Sequence, residues 1–167
     1  MEVLISNEQE AVELDLETIK SVALDLMRFE GFDENSQLSM VFCDDEAIKG
    51  LNNEYRKKNE ATDVLSFPIE MENFIPEIRM VGDIVISTET AIRQAKDYNH
   101  SPLVEMLILL IHGLLHLHGY DHIEDEDRLK MRAREAEIYR YVCGLKQYKD
   151  FSNAFSEPLI ERATEKE

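Results

Sequence analysis

Short apolar runs with a period of two alternate along this chain with longer stretches of helical period. Val3, Leu4 and Ile5 read as a first strand. Asp15 is placed to cap a helix whose positions Ile19, Val22, Ala23 and Leu26 share one face, and Gly31 is placed to end it. From Leu38 to Cys43 the pattern returns to two, with Leu38, Met40 and Phe42 on one side. Asp44 or Asp45 can open a second helix that carries Ile48, Leu51 and Tyr55 inward. A polar, partly basic link over 56–61 leads to a third strand from Val64 to Phe67, stopped by Pro68, which cannot donate to a ladder. Ile84 to Ile86 make a fourth strand, followed by a helix through Ile92 and Ala95.

Ser101-Pro102 is a favourable helix start, because proline at the first helical position forfeits no needed hydrogen bond. The stretch from Leu103 to Leu117 is apolar on nearly every side, so it is expected to be the central, buried helix, broken by Gly119. A last helix begins in the acidic run Glu124 to Asp127, which suits the positive end of a helix dipole, and runs to about Val142 before Gly144. The class is α+β: a single domain over residues 1–144 with a small mixed four-stranded sheet and about five helices. Residues 145–167 are expected to be a tail or a short extra helix.

Composition adds little to this picture. With 167 residues, 44% hydrophobic and 32% charged, the chain suits one ordinary globular domain. No apolar run approaches the ~20 residues that span a bilayer. Cys43 and Cys143 make no disulfide framework, and no signal peptide is visible, so a cytoplasmic, reduced protein without a membrane partner is expected. Net charge is −17, which at first argues against a nucleic-acid partner. The distribution weakens that argument. Residues 1–54 hold 14 acidic and 3 basic side chains, whereas residues 55–149 hold 16 and 13. The nearly neutral middle carries all the chemistry below.

The informative segment runs from His112 to His122, HGLLHLHGYDH. His112 and His116 are four apart on the expected buried helix, so both imidazoles project from one face. His122 follows after Gly119, a residue that permits the chain to double back and deliver a third ligand. Three imidazoles hold zinc while leaving one tetrahedral position free, the layout of a catalytic rather than a structural site. A metal there activates water or polarises a phosphoryl or carbonyl oxygen. His118 is turned about 160° from His116 by the helical phase, so it is expected to stay outside the ligand set. The spacing matches that of the metzincin proteases, a zincin-like helix and turn. Those enzymes place a glutamate base directly after the first histidine, where this chain has Gly113. Asp121 is a candidate base or a partner orienting an imidazole; as a turn residue it could equally make only a local hydrogen bond. The row Arg128, Lys130, Arg132, Arg134 shares its helix with Glu135 and Glu137 and reads as a solvated face.

The motif HGLLHLHGYDH resembles the zinc motif of the rRNA maturation endoribonuclease YbeY family. Leu51 to Lys58 followed by Thr62 to Pro68, and Gly82 to Ile86, are similar to that family's other blocks. The likeness spans roughly residues 1–144, in order. It implies a zinc-dependent, single-strand-specific endoribonuclease in 3′-end maturation of small-subunit (16S) ribosomal RNA and in ribosome quality control. RNA and ribosomal components are then the implied partners. His112, His116 and His122 fall on the family's metal ligands, and Arg56 on its essential arginine. Asn59 and Ala61 depart from the usual aspartate and proline, and neither is a ligand position. A guanidinium at Arg56 can hold two phosphate oxygens and offset charge developing at phosphorus. Two other readings stay open: a non-enzymatic ribosome-assembly factor with a structural zinc, and a zinc hydrolase of another substrate. The absence of a carboxylate at Gly113 weighs against a peptidase.

Overall fold

The computed structural model describes residues 1–69 and 77–145. Among the described residues four strands and five helices follow one another as β1 (Glu2–Asn7), α1 (Leu16–Phe29), β2 (Ser36–Cys43), α2 (Asp45–Arg56), β3 (Val64–Pro68), β4 (Arg79–Ser87), α3 (Thr88–Tyr98), α4 (Pro102–Leu117) and α5 (Asp125–Gly144). The sheet runs β1-β2-β4-β3, with β1, β2 and β4 parallel and β3 antiparallel to β4. This is the expected α+β architecture with a mixed four-stranded sheet. The tail expected over residues 145–167 lies, beyond Leu145, outside the described residues.

Local signals account for the boundaries. Asp15 accepts from the backbone N–H of Thr18 to cap α1, and Asp44 accepts from Ala47 to cap α2. Asp45 is therefore free for another task. Its carboxylate accepts from the hydroxyls of Ser87 and Thr90 and from Arg93, tying the start of α2 to the start of α3. Ser101 caps α4, with Pro102 in its first turn. Eleven of that helix's sixteen residues are buried, between α3 on one side and β3 and β4 on the other. One such face holds Leu107, Leu110, Ile111 and Leu114, all 1% exposed.

Two expectations are corrected. Tyr55, assigned to the inward face of α2, is 61% exposed and leans on Phe67 with ring centroids 5.0 Å apart. It lies in the last turn of α2, beyond the buried residues of that helix, Ile48 and Asn52. The polar row on α5 is not uniformly solvated either. Glu135 is 1% exposed, and Arg134 meets the buried Glu30.

Candidate metal centre

The buried helix α4 ends in a turn that its own sequence specifies. Gly119 takes φ +97°, and its N–H bonds the carbonyl of His116 while the N–H of Tyr120 bonds that of Leu115. This paired closure needs a residue with positive φ directly after the cap, which glycine supplies without steric cost. The reversal aims the Tyr120 carbonyl back at the helix, where it accepts from His116 Nδ1 at 3.0 Å. Asp121 then accepts from the backbone N–H groups of His122 (2.6 Å) and Ile123 (3.2 Å), fixing the turn that presents His122.

These local steps bring His112, His116 and His122 together, with one nitrogen from each lying within 4.8 Å of the others. The Nε2 atoms of His112 and His116 are 3.0 Å apart. A carbonyl can only accept, so His116 carries its proton on Nδ1 and presents the Nε2 lone pair. His112 is held in the same sense, its Nδ1 donating to Glu135 Oε1 at 3.0 Å. Two lone pairs facing each other repel unless a cation lies between them. Two nitrogens bound at about 2.0–2.1 Å to one tetrahedral ion stand about 3.3 Å apart. The buried Nδ1 of His122 has no hydrogen-bond partner among the described residues. Three nitrogens converging in this way, two of them with their outward N–H groups anchored on oxygen, suit a borderline-soft divalent ion such as zinc.

Glu135 is the functional residue that the sequence reading missed, although a signal for it was present. Met131, Ile138, Tyr139 and Val142 form the buried stripe of α5, and Glu135 sits at helical spacing within it. A carboxylate in the middle of an apolar stripe needs a partner there. His112 is that partner.

His118 turns the other way, as its phase predicts. Its Nδ1 lies 3.0 Å from Glu30 Oε2, and the other oxygen of Glu30 accepts from Arg134 Nε at 2.8 Å. Glu30 thus clamps the end of α4 and the middle of α5 to the end of α1. His100, for which the sequence offers no partner, lies 2.5 Å from the buried Glu105 at the start of α4.

Gly113 faces the sheet. A Cβ there would meet Ser66 Oγ at 3.0 Å and Ile84 Cγ2 at 3.1 Å, and Ser66 Oγ donates to the Gly113 carbonyl. The position that bears a glutamate in metzincins is here the close-approach point between α4 and strands β3 and β4. No side chain larger than hydrogen fits without displacement.

A cleft of about 890 Å³ opens over the three imidazoles. Its walls include Tyr55, Arg56 and Phe67 as well as Asp121 and Glu135. Arg56 is exposed at the end of α2 and, among the described residues, pairs with no carboxylate. Thr62 and Asp63 also line the cleft, and Asp63 is committed to the Val64 N–H and to Gln94.

The family description "Endoribonuclease YbeY" matches residues 4–142 of the sequence. Relatives of that name include one from Alkaliphilus oremlandii, 43% identical over 143 residues, which cover 83% of this chain and 95% of that one. Another, from Finegoldia magna, is 40% identical over 146 residues, 85% of this chain and 94% of that one. The solution structure of TM1509 from Thermotoga maritima superposes with a TM-score of 0.56, covering 93% of this chain and 97% of the other, and at 24% identity it speaks for the fold. With a match over nearly all the described residues and relatives of this identity, the chain belongs to the endoribonuclease YbeY family.

Proposed function

We propose that the protein is a zinc-dependent endoribonuclease that cleaves single-stranded RNA, with His112, His116 and His122 as the metal ligands. One observation carries the reading: three imidazoles, two of them oriented through Nδ1 to present Nε2, converge in the cleft that Arg56 also lines. When bound at the trio, zinc supplies Lewis acidity toward a phosphoryl oxygen and activation of water. The protein's own groups do the rest. Glu135 and the Tyr120 carbonyl hold the protons of His112 and His116 away from the centre. Asp121 positions His122 through the backbone of the turn. Arg56 binds the scissile phosphate and offsets its growing negative charge, a task for which a planar two-pronged cation is better suited than a point charge. The family name supports the endoribonuclease class. Maturation of 16S ribosomal RNA at its 3′ end, contact with the ribosome and a cytoplasmic site of action complete the proposal. Among the described residues no single helix is long and apolar enough to cross a membrane.

The test is single-turnover cleavage of a single-stranded RNA by wild type, Arg56→Ala and Arg56→Lys, with zinc content measured in each. Arg56→Ala should keep its metal and its melting temperature, while cleavage falls by about 100-fold or more, the scale of losing one electrostatic donor. Arg56→Lys should recover little of it. Equal rates in all three proteins would remove Arg56 from the mechanism. A wild type that binds RNA with no chelator-sensitive cleavage would instead favour the assembly-factor role.

A further inference from the structure

Tyr55 is one of the few large hydrophobic side chains that the fold leaves outside, 61% exposed at the end of α2. A lone exposed tyrosine is unremarkable. This one is set in place, for its ring rests on Phe67 of β3 at 5.0 Å with the planes 57° apart, the tilted arrangement that aromatic pairs favour. Both rings line the same cleft as the three histidines. Phe67 supports one side of Tyr55, and much of the rest of the ring is open to solvent.

The charge around it has the matching character. Tyr55 is followed directly by Arg56, Lys57 and Lys58. The chain carries 35 acidic residues against 18 basic, and several of the cations, Arg79, Arg93, Arg128, Lys130 and Arg134 among them, meet a carboxylate while others such as Lys20, Lys49 and Lys96 stand apart from one among the described residues. Among the described residues Arg56 and Lys58 meet none. Lys57 takes the left-handed conformation (φ 59°) that turns the chain out of α2, and its ammonium bonds back to the Glu54 carbonyl. An exposed aromatic face beside free cations is the combination that single-stranded nucleic acid requires: the face takes a base and the cations follow the phosphates.

We propose that Tyr55, propped by Phe67, is a stacking platform for one unpaired nucleobase of the RNA substrate, with Lys58 on the adjoining backbone. The proposal rests on the endoribonuclease reading and adds a source of strand selectivity. In an A-form duplex the base faces are stacked on one another and the deep groove is closed to side chains, so only an unpaired base can reach the ring. Tyr55 acts on binding and positioning, and no proton or bond of the reaction passes through it.

The measurement is affinity for a cleavage-resistant 2′-O-methyl RNA 12-mer, by fluorescence anisotropy, with zinc-loaded wild type, Tyr55→Ala, Tyr55→Leu and Tyr55→Phe. Tyr55→Ala should raise Kd by about tenfold, within the range of one lost base–aromatic stack. Tyr55→Leu should resemble it, because bulk without a π face is insufficient, and Tyr55→Phe should stay within about twofold of wild type. The slope of affinity against salt should be unchanged by these variants and should fall by about one in Lys58→Ala. A scan of single abasic positions should find one that weakens wild type but costs Tyr55→Ala nothing further. Melting temperatures should agree across the set, since the side chain is exposed. Equal affinities for wild type and Tyr55→Ala, with wild type still cleaving RNA, would overturn the platform and leave the nuclease intact. A wild type that neither binds nor cleaves single-stranded RNA would overturn both.

Discussion

Glu135 and Asp121 show how little of the centre's chemistry resides in the three imidazoles alone. Each imidazole must be neutral, in one tautomer and in one orientation before it can act as a ligand, and for His112 and His116 those conditions are set by the Glu135 carboxylate and the Tyr120 carbonyl. Glu135→Gln preserves shape but replaces a full negative charge by an amide, so the Nδ1–H of His112 is held less firmly. Zinc affinity, measured by competition with a chromophoric chelator, should fall by about tenfold or more. His116→Ala should abolish tight binding, because it removes one of only three protein ligands. His118→Leu should bind zinc as wild type does, since its imidazole is spent on Glu30. Tight zinc binding by His116→Ala, or its loss in a folded His118→Leu protein, would show the wrong histidines had been assigned.

The elements do a second kind of work: α4 is pressed so closely on β3 and β4 that Gly113 has only hydrogen to offer. A Cβ there would press on Ser66 Oγ and Ile84, which would have to give way by a few tenths of an ångström. Gly113→Glu should lose about 1–3 kcal/mol of stability, read from chemical unfolding, and should gain no peptidase activity. A Gly113→Glu protein as stable as wild type would mean that this helix face is not packed as described. The elements were also where the sequence was most legible. Asp15, Asp44 and Ser101 cap the helices they precede, and the turn after His118 follows from Gly119. Tyr55 continues the helical period of Ile48 and Leu51 yet stands outside, because it falls in the last turn of α2, beyond that helix's buried residues. The charged row Arg128, Lys130, Arg132 and Arg134 suggests solvent for the helix face that Glu135 shares, whereas its spacing from Met131 and Ile138 places it inside. On this helix the phase of the apolar positions, not the density of charge, decides which side chains are buried.

At the scale of the molecule, side-chain ties join the elements around the centre, and the one at Asp45, which joins the start of α2 to the start of α3, is sensitive to acid. Burial pushes the Asp45 carboxyl up, but hydrogen bonds from Ser87, Thr90 and Arg93 outweigh it and hold the group below its ordinary value. A carboxyl with a depressed folded-state pKa stabilises the fold above its unfolded value and loses that contribution as pH falls through the folded one. The window here lies below about pH 4. Asp45→Asn should therefore be less stable than wild type at pH 7, by about 1 kcal/mol, with the gap closing as pH is lowered through that window. A gap that stays constant across it would detach Asp45 from acid unfolding. The account as a whole turns on whether the three histidines hold a metal that the reaction needs. Its most direct test is single-turnover cleavage of a single-stranded RNA by purified protein, followed through removal of metal by chelator and stoichiometric return of zinc. Cleavage should stop on removal and recover as about one zinc per chain is restored. Undiminished cleavage by protein shown to be metal-free would contradict the account.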